Sequence, residues 1–139
     1  MNMLLDTNVL SEILRSSPDP QVLAWFSRQA DQALFVSAIT QAEMLLGASL
    51  LPPGRRRERL QGALTTLFEV DFAGRVLPFD ELAVSHFVDA VVARGRSGRP
   101  ISQFDAQIAA IALNRNLAVA TRNTRDFEGR GLRLVDPWA

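Results

Sequence analysis

Short apolar segments alternate with helical patterns along the whole chain, and this alternation constrains the fold more than any other feature. The apolar segments are residues 3–5, 34–36, 75–77, 117–120 and 132–135. Strands this short, each followed by an amphipathic helical pattern, are typical of a mostly parallel sheet that helices cover on both faces. The sequence therefore predicts an α/β fold.

Apolar residues spaced three to four apart mark the helices between these strands. The patterns open at Thr7-Asn8 and cover residues 22–30, 38 to 50 or 51, 55–68, 81–93 and 103–115. Pro18-Asp19-Pro20 is expected to break the chain, and residues 94–100 are expected to form a loop. No repeat or linker divides the sequence, so residues 1–139 are expected to form a single domain.

Polar residues directly follow three of the predicted strands. Asp6 follows the first strand, Ser37 the second, and Thr121-Arg122-Asn123 the fourth. Parallel strands place their carboxyl ends at one rim of the sheet, where α/β proteins bind ligands. These residues are therefore expected to lie on one rim.

Two further acids lie on the apolar faces of predicted helices. Glu43 falls in a row with Ile39, Leu46 (or Gly47) and Leu50, and Asp105 in a row with Ile101, Ile108, Ala109 and Ala112. A buried carboxylate must be protonated, paired or bound to a cation, because burying it alone costs several kcal/mol. Together with Asp6, these acids favour a divalent ion.

Each polar residue also has an ordinary structural interpretation. Asp6 can cap the helix that begins at Thr7, Glu43 can pair with an arginine, and Asp105 can favour the first turn of its helix through the macrodipole. Asn123 and Asp126 can be turn residues. Only the expected convergence of these side chains at one rim favours a functional site.

Composition narrows the chemistry that such a site can perform. All 15 basic residues are arginine, and the chain has neither lysine nor cysteine and a single histidine, His86. Lysine nucleophiles, thiolate chemistry and cysteine- or histidine-rich zinc sites are therefore excluded. His86, within an apolar helix, is interpreted as structural. Carboxylates remain, and they suit Mg²⁺ or Mn²⁺.

The formal net charge is zero, which counts against a broadly basic surface for nucleic acid. Arginines are nevertheless clustered. Residues 55–59 are interpreted as a solvated helix face, whereas Arg94, Arg96 and Arg99 lie in the predicted loop before the helix of Asp105 and are candidates for contacting phosphate. The N-terminus lacks the features of a signal peptide, and no segment predicts a membrane span, so a cytoplasmic protein is expected.

Large aromatic side chains mark expected contacts. Trp25 and Phe26 are assigned to the core or to an interface, and Trp138 is expected to anchor the C-terminal segment. Trp25, Phe26 and Phe68 are also interpreted as exposed apolar residues that are consistent with self-association.

Four segments together resemble the PIN-domain ribonucleases, in particular the FitB-like branch of the VapC toxins. The segments are residues 3–10 (MLLDTNVL), 37–43 (SAITQAE), 104–110 (FDAQIAA) and 120–123 (ATRN), and residues 72–80 and 136–138 resemble that branch as well. The likeness spans essentially the whole chain with its motifs in family order, whereas an isolated Asp-Thr-Asn would not be specific.

This resemblance implies a three-layer α/β/α sandwich with a Mg²⁺- or Mn²⁺-dependent endoribonuclease site. Asp6, Glu43 and Asp105 match three acids of the family. Asn123 stands where many members have a fourth acid, so it would keep an oxygen ligand without the charge, and Asp126 could serve instead. Thr7 and Thr121 are expected to orient the carboxylates.

The resemblance also implies partners. RNA would be the substrate, and a cognate antitoxin of the VapB or FitA kind would cover the site with its tail while its DNA-binding part occupies operator DNA. A homodimer is expected, and no membrane association.

Two other classes of function compete with this one. A phosphotransfer protein would also place an Asp at a strand end, but receivers need a lysine and aspartyl phosphatases an Asp-x-Asp motif, and Asn8 stands at the second position. A non-catalytic PIN-like binding module, acting through its antitoxin partner and operator DNA, remains the alternative because of Asn123.

Overall fold

The structure, a computed structural model, describes residues 1–129 and 131–139. The strands are β1 (Met3–Leu5), β2 (Leu34–Ser37), β3 (Val76–Leu77), β4 (Ala118–Ala120) and β5 (Leu134–Val135). The helices are α1 (Thr7–Ile13), α2 (Pro20–Ser27), α3 (Ala38–Ser49), α4 (Arg55–Thr66), α5 (Val84–Arg96), α6 (Gln103–Arg115) and α7 (Thr124–Phe127). Single turns of other helix types cover Asp31–Ala33, Leu67–Asp71 and Glu81–Ala83.

All strand pairs of the sheet are parallel, and the strand order is β3-β2-β1-β4-β5. The chain first builds β1, β2 and β3 outwards in one direction, then crosses to the other side of β1 to add β4 and β5. The order therefore reverses between β1 and β4, which is where open α/β sheets bind ligands. Leu5 pairs with Ala120, so Asp6 and Thr121 emerge side by side at this point.

Alternate residues of the central strands belong to two separate cores, one on each face of the sheet. Met3 and Leu5 pack with α1, α3 and α4, whereas Leu4 packs with α6 on the opposite face. Successive side chains of a strand point to opposite faces of the sheet, so each strand contributes to both cores. Helix α5 packs against α6 on its far side. The predicted α/β/α sandwich with a parallel sheet is therefore confirmed.

Side-chain caps start the helices that carry the site. Ser37 Oγ accepts a hydrogen bond from the Thr40 backbone N–H (2.9 Å), and Ser102 Oγ accepts one from the Asp105 N–H (3.1 Å). Each cap satisfies a donor that the first helical turn leaves unpaired. These caps fix where α3 and α6 begin, and thereby the height of Glu43 and Asp105 above the sheet.

Several predicted boundaries were wrong. Helix α2 begins at Pro20, because the proline occupies the first helical position after the Asp19 cap rather than breaking the chain. Helix α5 continues to Arg96, so Arg94 and Arg96 are helical and only Arg99 lies in the loop. Gly95 is tolerated within the last turn of α5. Helix α7 was not predicted.

The apolar row assigned to α3 was also wrong. Leu46 and Leu50 are 59% and 75% exposed, whereas Thr40 and Ala48 are buried. The helix carries apolar residues around most of its circumference, so spacing alone did not select the buried face. Phe68, interpreted as exposed, is buried in the core beside α4. Among the described helices, none has the length and apolar character that crossing a membrane requires.

A buried and an exposed leucine of the helical segments should respond differently to truncation. Leu64→Ala removes a side chain that is 1% exposed and should lower the free energy of unfolding by about 2–5 kcal/mol, because it leaves a cavity. The control Leu82→Ala removes a side chain that is 66% exposed and should change it by less than about 0.5 kcal/mol. Urea unfolding followed by circular dichroism measures both, and equal losses would contradict this assignment of the core.

Candidate active site

Asp6 is buried at the end of the central strand, and both of its carboxylate oxygens accept hydrogen bonds. Oδ1 accepts from the Thr7 backbone N–H at 2.8 Å, and Oδ2 accepts from Thr121 Oγ1 at 2.8 Å. The first bond caps α1, so the interpretation of Asp6 as a helix cap is confirmed. The second bond links β1 to β4 across the reversal point, so capping and a role at the rim are compatible.

Glu43 is tied to the same rim through Thr7. The Thr7 hydroxyl donates to Glu43 Oε1 at 3.0 Å, and Thr40 Oγ1 lies 3.0 Å from the same hydroxyl oxygen. Because the single proton of Thr7 goes to Glu43, the Thr40 hydroxyl donates to Thr7. Thr7 thereby sets the orientation of Glu43 relative to Asp6, as expected for an orienting hydroxyl.

Thr121 makes the corresponding connections on the other side of Asp6. Its hydroxyl oxygen accepts from the Asn123 backbone N–H at 3.0 Å and from Asn8 Nδ2 at 3.3 Å while donating to Asp6. All buried polar side-chain atoms in the described part of the chain have a hydrogen-bond partner. The carboxylate of Asp6 is therefore positioned by a complete network.

One cleft of about 550 Å³ brings the predicted acids together. It is lined by Asp6, Thr7, Asn8, Ser11, Glu12, Arg15, Glu43, Asp105, Arg122, Asn123 and Trp138. Of the predicted site residues, Asp126 lies instead in a neighbouring depression with Asn123, and Thr121 lies buried beneath the cleft. The convergence inferred from the sequence is thus present in the structure.

The part of this cleft that α1 provides is not predicted from the sequence patterns. Glu12 is buried, and both of its carboxylate oxygens accept from Arg15 Nη1, at 3.2 and 3.1 Å, while Oε2 also accepts from the Asp19 backbone N–H at 2.9 Å. Asn8, Glu12 and Arg15 recur at helical spacing after Asp6, and that spacing could have identified them. The arginine pairing proposed as an alternative for Glu43 is found at Glu12.

Arg94, Arg96 and Arg99 do not line the cleft. Arg94 donates to the backbone carbonyls of Arg99 (2.7 Å) and Asp126 (2.8 Å), and Arg99 forms an ion pair with Glu128 at 3.3 Å. Arg96 is exposed at the end of α5. Two of the three guanidinium groups therefore hold the segment of α7 in place, and their contact with RNA stays a prediction.

The environment of the cleft disfavours negative charge on two acids. Burial is the main cause that raises the pKa of Asp6, and the nearby charges of Glu43 and Asp126 raise it further against the hydrogen bonds from Thr121 and Thr7. Burial also raises the pKa of Asp105, and the charge of Asp6 adds to that increase. Carboxylates that repel one another in this way bind a proton or a cation more strongly.

The donor set of the cleft fits a loosely held divalent ion better than a closed cage. No three carboxylate or histidine side chains in the described residues approach closely enough to form a ready-made ligand cluster. Mg²⁺ usually retains several waters and takes one or two carboxylates from the protein. Asp6, Glu43 and Asp105 around one open cleft satisfy that requirement.

Comparison with known proteins gives consistent matches over the full chain. A family model described as the PIN domain matches residues 3–130. VapC ribonuclease Y4jK of Sinorhizobium fredii is 42% identical over 136 residues, which cover 98% of this chain and 97% of that protein. Toxin FitB of Neisseria gonorrhoeae is 39% identical over 140 residues, covering 98% of both chains.

Among solved structures, one described as FitAB bound to an IR36 DNA fragment superposes with a TM-score of 0.92. Its sequence identity is 37%, and the match covers 99% of this chain and 96% of that chain. The similarity in structure therefore extends over the sheet, the helices and the cleft.

The raised pKa of Asp105 predicts how stability depends on pH in the metal-free protein. The folded state keeps this proton to higher pH than the unfolded state, whose ordinary value is 3.8, so stability is lost as pH rises through the raised pKa. Asp105→Asn should therefore raise the melting temperature at pH 7 in EDTA, and the gain should vanish below about pH 3.8. The exposed Asp31→Asn is the control, and a pH-independent effect of Asp105→Asn would contradict the assignment.

Proposed function

This chain belongs to the PIN-domain family, among its FitB-like VapC members, and we propose that it is the endoribonuclease toxin of a type II toxin–antitoxin pair. The observation that carries the proposal is the convergence of Asp6, Glu43 and Asp105 in one cleft at the reversal point of the sheet. The name of its relative Y4jK, a VapC ribonuclease, supports the reaction class.

Asp6, Glu43 and Asp105 would hold Mg²⁺ or Mn²⁺ in this cleft. The bound ion would supply the positive charge that favours deprotonation of water and stabilises negative charge on a phosphodiester. Asp6 can contribute only the lone pairs that remain after its bonds to Thr7 and Thr121, and those bonds fix its direction. The protein thus supplies preorganised carboxylates, and the ion relieves their mutual repulsion.

Asn123 occupies the fourth position of the proposed site. It lines the cleft, so its amide can offer an oxygen ligand or a hydrogen bond, but it adds no negative charge. Asp126 acts on the cleft through its charge alone, since it lies in the neighbouring depression while raising the pKa of both Asp6 and Asp105. We therefore assign the fourth position to Asn123 rather than to Asp126, and the missing negative charge favours one bound ion over two.

The proposed partners are RNA as substrate, a cognate antitoxin of the VapB or FitA kind, and a second copy of this chain. The FitAB complex with DNA supports an antitoxin that brings operator DNA to the complex. Leu46, Leu50 and Phe104 border one exposed apolar depression beside Glu43, which supports self-association. Residues 1–139 would form one PIN domain that acts in the cytoplasm, where RNA is available.

Replacing a proposed ligand should abolish cleavage without unfolding the chain. Asp6→Asn and Asp105→Asn keep the size of the side chain, so each should lower the rate of RNA cleavage in Mg²⁺ by at least about a hundredfold while circular dichroism stays unchanged. Asp31→Asn should cleave like the native chain. Cleavage would be followed on total RNA with the ends mapped by sequencing, and undiminished cleavage by pure Asp105→Asn would refute the site.

Restoring a fourth acid should strengthen metal binding. Asn123→Asp adds a negative charge to the cleft, so calorimetric titration with Mn²⁺ should show a lower Kd, by about tenfold or more, than the native chain. Asn114→Asp, on α6 and outside the cleft, is the matched control. If neither the native chain nor Asn123→Asp binds Mn²⁺ or Mg²⁺, the non-catalytic binding module replaces the ribonuclease as the preferred function.

A further inference from the structure

Two arginines line the cleft, and they are held in different ways. Arg15 is bound to Glu12 by two hydrogen bonds. Within the described residues, the guanidinium of Arg122 has no hydrogen bond or ion pair, and its Cζ lies 5.2 Å from the centroid of the Trp138 ring. An arginine beside several carboxylates thus contacts an aromatic face instead of neutralising them.

The backbone at Arg122 is fixed relative to the catalytic rim. Arg122 follows Thr121, whose hydroxyl donates to Asp6, and the Arg122 N–H donates to Asn8 Oδ1 at 3.4 Å. Asn8 in turn donates to the Thr121 hydroxyl at 3.3 Å. The guanidinium therefore extends from an anchored point at the edge of the acidic cleft.

Trp138 is fixed as well, so its ring is a stable support. Its side chain is half-buried against the core formed with α1 to α4, and its backbone N–H donates to Asp136 Oδ1 at 2.9 Å. Gln21 Nε2 donates to the carbonyl of Ala139 at 2.6 Å, which ties the following residue to α2. The indole therefore offers the Arg122 guanidinium a fixed aromatic surface that attracts its charge.

We propose that Arg122 and Trp138 form a platform on which one unpaired nucleobase of a single-stranded RNA stacks beside the carboxylate cleft. This inference rests on the proposed ribonuclease function and specifies its substrate. Arg122 is an exposed residue, so its guanidinium is accessible to a ligand while it lies over the indole. Protein sites for unpaired RNA bases use stacking on aromatic rings and on arginine planes.

The platform would also select the form of the RNA. Bases inside a duplex are already stacked on their neighbours, so only a loop, a bulge or a single strand can place a base on Arg122. All four bases have a flat π face, so the platform would position the strand without strong preference among them.

Arg122→Lys separates stacking from charge, because lysine keeps the positive charge and lacks the planar face. Binding would be measured by fluorescence anisotropy in an Asp105→Asn background, with a labelled single-stranded RNA and with an abasic phosphodiester oligomer of equal length. Arg122→Lys should weaken RNA binding roughly tenfold and leave binding of the abasic oligomer unchanged. Arg28→Lys, an exposed arginine at the end of α2, should change neither.

Trp138→Leu should reproduce the loss seen with Arg122→Lys, with circular dichroism checking that it folds. Equal affinity of Arg122→Lys and its parent for RNA would overturn the platform, and so would equal losses on RNA and on the abasic oligomer, which would show a phosphate contact only. Failure of the native chain to cleave RNA, together with failure of the Asp105→Asn parent to bind it, would refute the proposed function as well. If the native chain cleaves RNA and Arg122→Lys binds it normally, the platform alone is refuted.

Discussion

The burial of the Asp6 carboxylate determines which groups must surround it: hydrogen-bond donors that orient it and a positive charge that balances it. The acid directly follows the middle strand of a parallel sheet, and it is only 6% exposed. Two hydrogen bonds, from Thr7 and Thr121, replace part of the lost hydration, yet burial still raises its pKa. A carboxylate in this position remains stable only when neighbouring groups orient it and a proton or cation balances its charge.

Residues far apart in the sequence meet at this carboxylate because of the strand order. Thr7 connects it to Glu43 on α3, Thr121 connects it to β4, and Asp105 approaches from the start of α6. Thr7 and Thr121, which make the hydrogen bonds to Asp6, each lie within two residues after a strand, and Asp105 lines the same cleft from the first turn of α6. The site is therefore a consequence of the topology and requires no special loop.

The sequence predicted the parallel sheet because its strands are short and largely apolar, and it drew attention to Asp6 and Asp105 because each acid interrupts an apolar pattern. Other features depend on contacts that periodicity does not encode. The buried face of α3 was misassigned, because the apolar spacing selects Leu46, whereas the structure buries Thr40 and Ala48. Arg94 was placed in a loop because Gly95 is a poor helix former, whereas contacts with the carbonyls of Arg99 and Asp126 accompany the last turn of α5.

A net charge of zero is compatible with a strongly acidic cleft, because the positive charges near it are already engaged. Glu12 uses the charge of Arg15, and the ring of Trp138 holds that of Arg122 away from the carboxylates. Had Arg122 formed an ion pair with Asp6 or Asp105, the charge of that acid would be balanced without an ion. Contact with an indole instead leaves these acids without a balancing charge from this arginine and keeps a positive group at the edge of the cleft.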